Sequence, residues 1–227
     1  MTRVFYFSAT GRTLELARYF AQRLGVDPVD MLLSPSSSRN ETAMVVFPVY
    51  CQEIPPPVRA FLCRLEAERV VLIAAYGRMS WGSVITDGAK LVSGTVIAAA
   101  CVPIGHTYLG QPADFDPEPL EPIFRRIAQP AAARLRGGKR NLFARIAPAL
   151  RSRIGVKLLR SDSCAECGLC TAQCPMGTMA GGRPGSSCIR CLRCVSICPY
   201  KALSFRLTMP VRLYLGKKRM TDTVLFL

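Results

Sequence analysis

No uninterrupted apolar run in this sequence is long enough to span a bilayer, because Lys90, Gly94 and Pro103 break its most hydrophobic stretch. No Gly-x-Gly-x-x-Gly follows an apolar strand, which removes the case for a built-in nicotinamide domain. No glycine-rich loop ends in the lysine that nucleoside triphosphatases use. No leader-like segment opens the chain and no lipidation box ends it. With thiols this abundant, the expected compartment is reducing, the cytoplasm. RNA-binding aromatic motifs are missing too, so no nucleic-acid partner is expected. Histidine occurs once, at His106, and tryptophan once, at Trp81. Acidic residues are scarce in one half only: residues 1–120 carry 11 against 10 Lys and Arg, residues 121–227 only 4 against 20. A strongly basic second half calls for an acidic docking partner, an anionic substrate or an anionic surface.

Cysteine, by contrast, is abundant, with 11 in 227 residues. Eight fall into two copies of one spacing, Cys164-x2-Cys167-x2-Cys170-x3-Cys174-Pro175 and Cys188-x2-Cys191-x2-Cys194-x3-Cys198-Pro199. In such a pair each copy wraps three thiolates around one iron-sulfur cluster and sends the fourth, before proline, to the other. One 4Fe-4S cluster is then expected on Cys164, Cys167, Cys170 and Cys198, and a second on Cys188, Cys191, Cys194 and Cys174. Zinc and disulfide readings fit less well, since zinc sites space their CxxC pairs further apart and often add histidine. Arg190 and Arg193 stand between ligands of the second motif and Glu166 between those of the first. Pointing inward they would tune potential, the arginines upward and Glu166 downward; outward, the arginines form a docking surface, and this is the expectation. Of the remaining cysteines, Cys63 and Cys101 read as buried packing, while Cys51 falls in a candidate binding loop.

The first half alternates strand and helix. Val4 to Phe7, Ala43 to Val49, Arg69 to Ala75 and Thr95 to Val102 are apolar strands, with a shorter one around Gly25 to Met31. Helical spacing follows in Leu14 to Leu24, Pro55 to Leu65 and Trp81 to Leu91. Continuous apolar strands interleaved with helices predict an α/β fold, a doubly wound parallel five-stranded sheet, whose ligand sits beyond the carboxyl ends of the strands. There Ser8, Thr10, Gly11, Arg12 and Thr13 join the first strand to its helix, the arrangement that cradles a phosphate. His106 lies at the same end, either as a hydrogen-bonded loop residue or as a proton donor to a ligand.

A proline-rich stretch from Pro112 to Pro122 leads into a helix holding Leu120, Ile123, Phe124 and Ile127. Residues 130–163 then carry nine Lys and Arg and one acidic residue. Leu142, Phe143, Ile146, Leu150 and Ile154 recur there at roughly helical spacing, which predicts a basic amphipathic helix. Inter-module packing, docking of an acidic electron partner and peripheral contact with an anionic surface remain open for it. The expected division is a sheet domain over 1–130, a basic linker over 131–160 and a cluster domain over 161–227. The tail, with Lys217, Lys218 and Arg219 before Val224 to Leu227, is expected to pack back on a module.

On these residues the chain resembles known families. Ser8-x-Thr10-Gly11-x-Thr13 is similar to the FMN phosphate loop of flavodoxins. That resemblance implies FMN, with its ring against Pro48, Val49, Tyr50, Tyr76, Gly77 and Arg78, and Trp81 nearby. Arg12 stands where such loops often carry Asn and adds a charge. The region around Cys188 to Cys194 and Cys198 to Phe205 resembles bacterial two-cluster ferredoxins, which implies a small α+β domain. The whole resembles flavodoxin-ferredoxin fusion proteins of the EFR type. The function this implies is electron transfer that couples FMN to two 4Fe-4S clusters and to an acidic redox partner. The alternative is an FMN-dependent reductase of a small anionic or electron-poor substrate, fed through the clusters.

Overall fold

Stretches of valine, isoleucine, phenylalanine and alanine without intervening charge build the centre of the first half of the chain. The structure is a computed structural model that describes residues 1–34, 39–138, 148–217 and 219–227. It divides into two units, Met1–Asn141 with Arg219–Leu227, and Leu142–Lys218.

In the first unit β1 (Thr2–Tyr6), β2 (Pro28–Asp30), β3 (Asn40–Pro48), β4 (Ala67–Tyr76) and β5 (Thr95–Pro103) all run parallel. Alternate side chains of the central strands enter opposite cores. Val45, Phe47, Leu72 and Ala74 face one, and Met44, Val46, Val71 and Ile73 the other. Helices cover both faces. From α1 (Arg12–Leu24), Leu16, Ala17 and Phe20 join Ile123 of α4 (Glu121–Ala128) on one side. From α2 (Pro56–Arg64) and α3 (Val84–Ala89), Val58, Phe61, Leu62 and Ile85 cover the other. Each such buried side chain contributes about 1.5–3 kcal/mol. Gly25, at φ 66, ends α1 by letting its own amide and that of Val26 reach the carbonyls of Gln22 and Ala21. Cys101 is buried in the core as expected, but Cys63 is exposed, so its thiol does no core packing.

The sheet has six strands rather than the five the sequence predicts, in the order β10-β5-β4-β3-β1-β2. The sixth, β10 (Val224–Phe226), comes from the C-terminal tail and pairs antiparallel with β5, Phe226 opposite Ala99 and Val224 opposite Cys101. It closes an edge that would otherwise present unpaired amides and carbonyls. Residues 219–227 therefore group with the sheet, not with the cysteine-rich region where they were expected. The segment that follows α4 is tied to the same edge, the Ala133 amide donating to the Val96 carbonyl and that of Arg134 to the Leu227 carbonyl.

The second unit begins with α5 (Pro148–Gly155) and β6 (Val156–Arg160). Leu142, Phe143 and Ile146 of the expected basic helix lie outside the described residues. From Val156 the chain is strand, not helix, because β6 pairs antiparallel with β9 (Leu203–Leu207) along its whole length. Between them lie one-turn helices α6 (Leu169–Ala172) and α7 (Arg193–Ser196) and the short strands β7 (Met179–Ala180) and β8 (Arg183–Pro184). Gly181 and Gly182, at φ 49 and 75, make the two-residue turn between β7 and β8. A last helix, α8 (Met209–Leu215), follows β9. Among the described residues a small apolar cluster of this α+β unit gathers Met179, Cys194 and Leu203, with Leu158 and Val195 at its margin.

Candidate metal centres and a candidate anion site

Both cysteine motifs bend their backbones alike. Glu166 and Arg190 follow the first cysteine of each motif by two residues and have φ 50 and 55, while Gly168 and Leu192 follow by four and have φ 78 and 64. Left-handed turns at these places curl the chain around its own thiols. Leu192, a branched residue in that region, carries a cost of roughly 1–2 kcal/mol that glycine at position 168 avoids.

Cys164, Cys167, Cys170 and Cys198 line one cavity of about 220 Å³, with Leu169, Tyr200 and Leu203 among its walls. Cys198, from the second motif, thus faces the same space as three cysteines of the first. Four soft donors lining one cavity suit a polynuclear iron-sulfur cluster. The loop is open to solvent: Cys167 is exposed, as are Leu169 and Tyr200.

The other four thiols lie deeper, Cys188 and Cys194 being buried. Burial pushes Cys191 up to about 11, against the backbone amide of Arg193, and the charges of Cys188 and Cys174 add to the rise. Burial likewise pushes Cys194 up to about 12, with Cys191, Cys188 and Cys170 as charged neighbours. Cys191 is therefore within electrostatic reach of Cys174 and Cys188, and Cys194 of Cys188, Cys191 and Cys170. Without a cation four thiolates here would repel; iron supplies the charge that replaces their protons. Both sets fit 4Fe-4S clusters by donor chemistry.

Charged groups surround both sets. Arg160, which no motif singles out, donates to the Gly181 carbonyl at 2.8 Å and to Glu166 at 2.6 Å. The Arg190 Nε donates to the Val156 carbonyl at 3.0 Å and Arg193 to the Gln173 amide oxygen at 3.0 Å. Both arginines are half-buried and engaged within the unit, which corrects the expectation that they project outward as a docking surface.

At the carboxyl end of the first unit's sheet, Gly11 caps α1 at φ 84 without a side-chain hydrogen bond, which leaves first-turn amides for a ligand. A β-carbon at Gly11 would meet nothing within 4 Å. Ser8 Oγ is buried and has no partner. Thr10 and Arg12 are half-buried and Thr13 is buried. Burial lowers the Arg12 pKa from its ordinary value while Asp114 pulls it back up. An orphaned hydroxyl, an uncapped helix start and a partly dehydrated cation fit a phosphate.

The ring loops are placed less uniformly. Val49 and Tyr50 are partly buried against the core, and Pro48 ends β3. Tyr76 is 1% exposed, its hydroxyl donating to the Asp222 carbonyl at 3.2 Å and its ring meeting Trp81 edge-on at 5.4 Å. It is a core residue with no ring face left for a ligand, as the burial of β4 up to its last residue requires. Gly77 and Arg78 lie beyond it, half-buried. Arg78 pairs with Asp114 at 3.0 Å, and its carbonyl accepts from Met220 at 2.7 Å. His106 Nδ1 accepts from the Tyr108 amide, which leaves Nε2 as the donor. Burial, then the charges of Arg12 and Arg219, lower the His106 pKa to about 4, so the ring is neutral. Asp114 and Arg219 have no motif around them; only the fold brings them to Arg12, Arg78 and His106.

Comparison with known families gives two matches, each described as a 4Fe-4S binding domain, over residues 161–177 and 186–204. No curated protein matches the chain. The chain carries 4Fe-4S binding domains in its C-terminal half, beside an N-terminal α/β domain with a mostly parallel sheet, and the former support iron-sulfur electron transfer. Among the described residues no helix is long and apolar enough to cross a membrane.

Proposed function

We propose that the chain is an electron-transfer flavo-iron-sulfur protein of the flavodoxin-ferredoxin fusion type, holding FMN in the first unit and two 4Fe-4S clusters in the second. The observation that carries this reading is the cavity shared by Cys164, Cys167, Cys170 and Cys198, in a chain whose other unit offers an uncapped, phosphate-shaped helix start. Bound there, FMN would supply one- or two-electron chemistry and the clusters single-electron chemistry.

The residues divide the work. Ser8, Thr10, Gly11 and Thr13 bind the FMN phosphate through hydroxyls and amides, and Arg12 neutralises it. Val49, Tyr50, Gly77 and Arg78 border the ring; Tyr76 supports them from the core. Neutral His106 lays its ring against Gly77 and holds no proton that titrates near neutrality. Cys174, Cys188, Cys191 and Cys194 hold the buried cluster, and the open Cys164–Cys170 loop holds the other where a partner reaches it. Basic residues of this half favour an acidic partner protein in a reducing compartment, the cytoplasm.

Anaerobically purified protein tests the reading. Flavin and iron should be bound together, and Gly11→Val should release flavin while iron stays. Protein loaded with iron but never with flavin would overturn the FMN assignment. Reduced protein should pass electrons to an acidic carrier protein in a salt-dependent reaction. Rapid reoxidation by a small anionic compound with no second protein would turn the assignment to a reductase.

A further inference from the structure

We infer that Arg160 raises the potential of the solvent-facing cluster, the one held by Cys164, Cys167, Cys170 and Cys198. This rests on the ligand assignment above. Arg160 ends β6, opposite Leu203 of β9, so its side chain leaves the strand pair at the cavity wall. Two contacts fix the guanidinium. Nη1 donates to Gly181 at 2.8 Å and Nη2 pairs with Glu166 at 2.6 Å, and the group lies within electrostatic reach of the Cys164 sulfur.

The turn between β7 and β8 presses this arrangement together. A β-carbon on Gly182 would stand 3.1 Å from Arg160 Cδ and 3.4 Å from Cys164 Sγ, and the φ of 75 there disfavours any other residue. Backbone therefore packs on the arginine stem and the ligand sulfur at once.

A cation held close to a ligand sulfur stabilises the reduced, more negative cluster and raises its potential. Glu166 opposes it, but unequally. The Glu166 side chain is 63% exposed and that of Arg160 26%, so water screens the carboxylate more than the guanidinium. The positive charge wins.

The test is an EPR-monitored reductive titration of the full chain with both clusters loaded. Arg160→Met should lower one midpoint and leave the other where it was, and Arg160→Lys, which keeps charge but loses the fork, should fall between. Full iron with both midpoints unmoved, or both moved equally, would overturn the inference while leaving the clusters in place. Loss of iron in both Arg160 variants would move the decision to Glu166, whose carboxylate opposes the same charge. In that event Glu166→Gln, expected to raise the same single midpoint, is the independent check, and no shift there counts against it. Wild-type chain that binds less iron than one cluster requires would overturn the ligand assignment and this inference together.

Discussion

The His106 imidazole lies directly on Gly77, so close that a β-carbon at Gly77 would stand 2.5 Å from its Cδ2. The loops after β4 and β5 are thereby held in van der Waals contact, and the Arg78–Asp114 pair at 3.0 Å ties the same loops again. Gly77→Ala must push the ring aside. The expected cost is about 1–3 kcal/mol of overpacking, read from urea unfolding followed by Trp81 fluorescence, since the single tryptophan lies in the sheet unit. The double change with His106→Ala should recover part of it. A Gly77→Ala protein as stable as wild type would contradict the contact.

His106 also makes a pH prediction. Its folded pKa, about 4, lies below the ordinary 6.5, through burial first and then Arg12 and Arg219. Above pH 6.5 the ring is neutral folded or unfolded and contributes nothing to the slope. As pH falls from 6.5 toward 4 the unfolded chain takes up a proton that the folded chain refuses, so stability drops by at most about 3 kcal/mol. His106→Gln, whose oxygen can accept from the Tyr108 amide, should flatten that part of the curve. The difference between the two proteins, measured at several pH values, isolates this group from the carboxylates.

The parts of the fold legible in the sequence are those set by local pattern. Val70 to Tyr76 reads as a buried parallel strand because no charge interrupts it, and Leu16, Ala17 and Phe20 mark one face of α1. The cysteine spacing likewise carries its own chemistry. What escaped depends on distant pairing. Val224 to Phe226 is too short to carry a strand pattern, and its partner β5 precedes it by more than a hundred residues. Ile154 and Leu158 share helical spacing, yet Leu158 belongs to a strand because Phe205 stands opposite it. Arg160 resembles any other basic residue of its region until Gly181, Gly182 and Glu166 are folded around it. Tyr76, an aromatic in a loop that resembles a flavin loop, turns out to serve the core because Asp222 of the returning tail takes its hydroxyl.

That tail should matter to the sheet and not to iron binding. Phe226 is 7% exposed within the core and β10 covers the edge of β5. Phe226→Ala should destabilise the first unit by about 3 kcal/mol, and Tyr76→Phe, which removes the bond to Asp222, by about 1 kcal/mol. Removing residues 223–227 exposes a strand edge and should promote association, seen as higher-order species in size-exclusion chromatography. Iron content should stay unchanged in all three, and a drop in iron after Phe226→Ala would contradict the separateness of the units.

The second unit should depend on its clusters for folding. The apolar cluster among its described residues is small, and Cys194 is one of the three buried residues in it. Cys191 and Cys194 are thiols whose burial resists ionisation, so without iron they stay protonated and the loops lose what holds their left-handed turns at Glu166, Arg190 and Leu192. Removing iron with a chelator under reducing conditions should bring hydrogen exchange in β6 and β9 close to that of unfolded chain, while β3, β4 and β5 stay protected. Cys170→Ser should act on the first centre, with about half of the iron and the visible absorbance lost. Full protection of β6 and β9 in iron-free protein would show that the strand pair and its three-residue apolar centre suffice by themselves.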